Sequence, residues 1–191
     1  NFHYEFNIRH IAGVVEGMLM AKGEEVSDPL AMVKLWLHES ERVYGDRLVD
    51  ESDFKRFRGI ALEQQRRHFK EFSPTLAFAE PLVFCHFAQG VGNGSYSKVA
   101  SFASLSKQLE GALEEYNDLF PVMELVLFED AMRHVCRISR IIESPGGHAL
   151  LVGVGGSGKQ SLTRLAAFVS GLSVSQLALT ATYGVTELKR D

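Results

Sequence analysis

The sequence carries one loop with almost no conformational or chemical freedom, Gly153-Val154-Gly155-Gly156-Ser157-Gly158-Lys159-Gln160-Ser161. A short apolar run, His148-Ala149-Leu150-Leu151-Val152, precedes it, and an amphipathic stretch, Leu162 to Val169, follows. Strand, glycine-rich loop, then helix is the setting of a phosphate-binding loop. Glycines let consecutive backbone N–H groups turn inward and line a concave anion seat. The helix that begins near Gly158 directs its positive end and its free N–H groups to the same point. Lys159 adds a mobile ammonium suited to β- and γ-phosphates. The stretch therefore predicts a nucleotide site on an α/β scaffold.

Gly153, Gly158 and Lys159 meet the pattern G-x-x-x-x-G-K-[ST], but Gln160 stands where a metal-binding hydroxyl belongs. A carboxamide oxygen on a longer stem reaches Mg²⁺ only with different geometry. Ser161 is turned about 100° around the helix and is a poor substitute. The loop predicts binding of ATP or ADP, with metal ligation in doubt at Gln160. A glycine-rich strand-to-helix turn with no ligand is the competing reading.

With 191 residues, 46% hydrophobic and 23% charged, the chain has material for a proper core. A net charge of −4 gives no general attraction to nucleic acid or to an anionic membrane. Cys85 and Cys136 lack metal-ligand spacing and make no disulfide framework, which points to a reducing compartment. No apolar run approaches the ~20 residues that cross a bilayer. Between Lys159 and the last residue the only acids are Glu187 and Asp191, and neither ends an apolar strand. A P-loop ATPase needs such an acid, so the chain reads as a piece of something larger.

Residues 8–21 have helical spacing, with Gly13 and Gly17 four apart and opening room for close packing. Ser27-Asp28-Pro29 starts a second helix that runs toward Leu48, with Glu39, Glu41, Arg42, Asp46 and Arg47 on its wet face. A third spans Ser52 to Phe72; its basic cluster Arg66-Arg67-His68 is interleaved with acids and reads as a solvated face. Leu82 to Phe87 predicts a short buried strand, and Gln89 to Ser95 a turn-rich linker. Further helices are expected from about Ser104 to Asn117 and after Phe128. The second of these has an apolar stripe of Phe128, Met132, Val135, Ile138 and Ile142. Its other face carries Arg133, Arg137 and Arg140, either solvated or touching a neighbouring module. Gly171 suits a C-cap, and Val174 to Leu179 predicts a further strand. The organisation is a helical block at 1–90, a connector at 91–103, and the front of a nucleoside-triphosphatase domain at 104–191.

Phe2-His3-Tyr4-Glu5-Phe6-Asn7-Ile8-Arg9, Leu35 to Asp46, Leu125 to Ala131 and Gly153 to Leu165 together resemble the dynein heavy chain, and the Lys159-Gln160-Ser161 variant resembles the axonemal type. The resemblance implies a helical AAA+ lid, that of the third module, followed by the N-terminal part of the fourth module's P-loop domain. It implies a minus-end-directed microtubule motor of the cilium axoneme and cytoskeleton. The implied partners are microtubules, reached through other parts of the parent, the other AAA+ modules, and intermediate and light chains. Arg9 matches a sensor arginine that reaches the preceding module's nucleotide, with a lid salt bridge as the alternative. Val126 and Leu127 match the border of an adenine pocket, with core packing as the alternative. The resemblance also implies a regulatory site, and a segment that neither walks nor hydrolyses ATP alone. A structural module with an empty or locked site is the rival reading, and Gln160 favours it. An unrelated P-loop kinase is the third.

Overall fold

Local chemistry sets the helix starts. In a computed structural model that describes residues 3–177 and 183–190, α1 spans Ile8–Met18. The Asn7 side chain accepts the Arg9 N–H, and the His10 ring accepts the Asn7 N–H, so two otherwise orphaned donors are satisfied. Helix α2 spans Pro29–Ser40; Asp28 accepts the Ala31 N–H at 2.9 Å, and proline occupies the first turn where no N–H is needed. The expected continuation to Leu48 is not α-helical. Residues Glu41–Gly45 form a π-helical turn, and one extra residue per turn rotates everything after Ser40.

Helix α3 spans Glu51–His68, and the short α4 spans Pro74–Ala77. The Gln65 amide donates to the carbonyls of Phe69 and Phe72, tying off the end of α3. Val33, Leu37, Ala77 and Leu82 form the core of this helical block, with Trp36, Ala61 and Phe69 against it. The chain then makes a two-stranded antiparallel hairpin, β1 at Phe84–Cys85 and β2 at Ser97–Lys98, with Cys85 opposite Ser97. The glycine-rich stretch expected as a linker is the loop of this hairpin.

The second core lies among α5 (Phe102–Leu119), α6 (Glu129–Glu143) and α7 (Lys159–Val169). Leu105 and Leu109 of α5, Val135 and Ile138 of α6, and Leu165 and Ala166 of α7 are its buried centre, joined by Cys85, Val99 and Cys136. Ser101 caps α5 by accepting from Ser104. Helix α7 ends as expected at Gly171, whose N–H bonds the Phe168 carbonyl while Leu172 N–H bonds Ala167, with φ of +67° at the glycine. A last helix, α8 (Val185–Arg190), follows Tyr183-Gly184.

Four expectations need correction. Phe128 does not join the α6 stripe; it precedes the helix as its N-cap residue and is largely exposed. Residues 148–152 form no strand: Leu150 is 90% and Val152 87% exposed, and no described strand lies beside them to accept ladder hydrogen bonds. Residues 174–177 are likewise irregular, and 178 and 179 lie outside the described residues. The α/β character of the chain therefore rests on the P-loop and its helices, with one small sheet. Finally, Glu39 is not on a wet face. It is 0% exposed and held by Arg140 of α6, whose Nε donates to Oε2 at 2.9 Å.

That pair belongs to a row. Arg133, Arg137 and Arg140 lie along one side of α6 and pair with Glu80, Asp46 and Glu39 of the helical block. The arginine face is thus a contact, not a solvated surface. It fixes the helical block against the helix that leads into the P-loop.

Candidate functional site

The P-loop is shaped by its glycines. Gly156 and Gly158 have φ of +76° and +75°, a region that a side chain disfavours. A Cβ on Gly153 would come within 3.1 Å of Ser157 Oγ, a tight approach that would push the serine hydroxyl aside by a few tenths of an ångström. Gly158, in the left-handed conformation, starts α7, and no described side chain caps that end. The N–H groups of the first turn are therefore left for a ligand, and they sit at the positive end of the helix dipole.

Lys159 lies across the mouth of this cradle. Its ammonium donates to the carbonyls of Gly153 (2.8 Å) and Val154 (2.7 Å) and to Ser157 Oγ (3.1 Å). All three acceptors belong to the loop itself, so the cation is held at the anion seat. Gly153, Val154, Gly155, Gly156, Ser157, Gly158 and Lys159 form one continuous loop closed by the Lys159 ammonium. Val154 and Gly155 are exposed in the loop.

Gln160 is exposed and borders a neighbouring space of about 280 Å³, shared with Lys159, Thr163, Arg164, Val174 and Gln176. Ser161 is half-buried one step around the helix. The Thr163 hydroxyl is spent on the Lys159 carbonyl at 2.8 Å, and Arg164 donates to the Gln176 carboxamide. The loop offers a metal one neutral carboxamide oxygen. Among the described residues no cluster of three or more His, Cys, Asp or Glu is placed to hold an ion. These residues suit a nucleotide phosphate chain.

The remaining candidates lie elsewhere. Arg9, in the first turn of α1, is exposed and forms no ion pair with a described residue. Val126 is 79% exposed, while Leu127 packs against the second core just before α6. Sequence reasoning missed the Glu39–Arg140 contact, whose partners lie 101 residues apart. No local spacing links them.

A helical block, a P-loop and a helix springing from it define an AAA+ lid joined to the start of a P-loop nucleoside-triphosphatase domain. Residues 1–79 match the family model of the AAA+ lid domain, and residues 123–191 match the P-loop containing dynein motor region D4. Over its whole length the chain is 51% identical to human dynein axonemal heavy chain 17. It is 48% identical to the dynein alpha chain of the flagellar outer arm of Chlamydomonas reinhardtii, and 47% identical to the ciliary dynein beta chain of Tripneustes gratilla. The chain belongs to the dynein heavy chain family, and it spans 4% of the length of each of these relatives.

Proposed function

We propose that the chain is a segment of an ATP-driven, minus-end-directed microtubule motor of the cilium axoneme, and that its P-loop is a regulatory nucleotide site. The observation that carries this is the Lys159 ammonium held over uncapped helix N–H groups and a glycine cradle. On binding, the backbone N–H groups from Gly155 to Gln160 receive the phosphate oxygens. Lys159 exchanges its carbonyl partners for phosphate, a stronger charge-assisted contact. Either ATP or ADP satisfies these donors. Any Mg²⁺ would come with the phosphates, and Gln160 would be the residue placed to meet it.

The division that follows has the third module's lid at 1–90, a connector at 91–103 and the beginning of the fourth module at 104–191. Arg9 serves as the sensor arginine that reaches the preceding module's nucleotide, consistent with its exposure and lack of a described ion-pair partner. Val126 and Leu127 border the adenine. The surrounding assembly is the ring of AAA+ modules of the same parent, with intermediate and light chains and the microtubule contacted by other parts. Its place is the axonemal cytoskeleton, in line with the axonemal, ciliary and flagellar relatives.

Gln160 supports a second reading, in which the module is structural and its site stays empty or holds one nucleotide without hydrolysis. Lys159→Ala in the full-length motor separates the two. Loss of nucleotide at this site with altered motility supports the regulatory reading. Unchanged occupancy together with unchanged motility overturns it.

A further inference from the structure

Gly13, Glu16 and Gly17 fall at i, i+3 and i+4 of α1 and so share one side of the helix. The two glycines keep that side low. Over Gly17 the buried Glu39–Arg140 pair fills the hollow, and beside it, toward the end of α6, a cavity of about 490 Å³ stays open. Leu19, Met20 and Val43 give it apolar walls on the lid side, and Pro145 lies opposite. One carboxylate comes from each side, Glu16 from α1 and Glu143 from the last residue of α6. Both residues are exposed, and neither has a hydrogen bond or an ion pair among the described residues. The cations nearby are engaged or neutral. Arg140, which borders the same cavity, is held by the fully buried Glu39. His86 feels the Glu143 charge, but burial pushes its pKa down, so it brings no charge at neutral pH. The cavity therefore presents two uncompensated negative charges around an apolar throat.

We propose that this cavity is a docking site for a lysine side chain carried by a part of the parent chain outside residues 1–191. Its ammonium bridges Glu16, within the stretch that matches the AAA+ lid, to Glu143, within the stretch that matches the motor region, and so ties the two together. Lysine suits the site better than arginine. Its four-carbon stem lies along Leu19, Met20 and Val43, and its compact ammonium offers three donors to carboxylates that arrive from different elements. A guanidinium fork instead matches the two oxygens of a single carboxylate. The need for a tether follows from magnitude. An ion pair that water can reach favours association by only about fivefold at most, so a free partner would not stay bound. A lysine on the same chain faces the site at an effective concentration on the order of millimolar. The chain spans 4% of the length of the relatives it matches, and this docking rests on its being a segment of such a longer parent.

The test uses the full-length motor and a zero-length carbodiimide, which condenses a carboxylate with a lysine amine to an amide and takes up the water as a urea. Mass spectrometry of the digest should show Glu16 or Glu143 joined to a lysine of the same heavy chain outside residues 1–191. Uncross-linked peptides in that digest show independently whether the polypeptide extends beyond these residues, so a failure of the parent reading is distinguished from a failure of docking. Glu16→Gln and Glu143→Gln should each lower the yield at the remaining carboxylate by up to about fivefold, and the double variant should remove the cross-link. Both side chains are exposed and without described partners, so these variants keep the fold. The proposal is overturned by the absence of a cross-link at both carboxylates, by one confined to lysines within residues 1–191, or by one made only to a separate chain. A yield at one carboxylate that does not change when the other is replaced overturns the bridge.

Discussion

Gly17 and Glu39 share one volume: a β-carbon on Gly17 would collide with the Glu39 carboxylate and with Arg140 Nη2. The absence of a side chain on α1 is what lets a charged pair sit at the crossing of α1, α2 and α6. In an exposed helix, glycine to alanine is favourable by ~1 kcal/mol. Here the sign reverses. Gly17→Ala must displace a buried carboxylate from its arginine, at a cost of about 3 kcal/mol. Gly59 of α3 has open space where a methyl group would go, with nothing within 4 Å, and provides the control. Urea denaturation should show Gly59→Ala more stable than wild type by ~0.5–1 kcal/mol and Gly17→Ala markedly less stable.

The Glu39–Arg140 pair should behave as a unit. Removing one partner leaves the other charge buried, which costs on the order of 3–5 kcal/mol. Glu39→Gln and Arg140→Met should therefore each be strongly destabilising, while the double variant should cost less than their sum. A double-mutant cycle on denaturation free energies measures this, with a coupling of at least ~1.5 kcal/mol expected for groups in one network. Additive losses would mean that each residue acts through separate packing.

The P-loop is legible because its chemistry is local: glycines, lysine and helix start occupy one stretch, and their spacing is the geometry. The same holds for Asp28 before Pro29 and for Gly171 after α7, where a cap is decided by adjacent residues. Glu39 escapes a sequence reading for two physical reasons. A helical wheel puts one face of α2 in solvent, whereas Leu35, Leu37, His38, Glu39 and Ser40 are all buried, so the end of this helix has no wet face. Its partner Arg140 comes from a distant helix, and a buried ion pair leaves no periodic trace. The run His148 to Val152 reads as a strand by composition, yet strand structure also needs a neighbour for its backbone groups, and no described segment provides one.

Gln160 makes a prediction about metal. A hydroxyl at this position would add a compact oxygen ligand close to the phosphates, which the longer carboxamide does not match. In Gln160→Thr, Mg²⁺ should tighten nucleotide binding more than it does in the wild type, by about tenfold, or ~1.4 kcal/mol. Titration of a fluorescent ADP analogue with Mg²⁺ and with excess chelator gives both values. Equal metal dependence in the two proteins would show that Gln160 already serves as a full ligand.

Glu80 sets the acid limit of the row that Arg133, Arg137 and Arg140 form along α6. Burial alone would raise its carboxyl, but the Leu82 N–H at 3.0 Å, Arg133 and Arg58 outweigh burial and hold it below its ordinary value. A depressed carboxyl contributes stability above the unfolded value, near 4.3, and loses it as pH falls through the folded value. Glu80 is about half exposed, so the contribution is small, roughly 0.5–1 kcal/mol at neutral pH. The stability difference between wild type and Glu80→Gln should accordingly be constant from about pH 5 to 7 and shrink below about 4.3. At about 1 M salt, where charges are screened within ~3 Å, that difference should also shrink, while the cost of Glu39→Gln at the dry end of the row should hardly change.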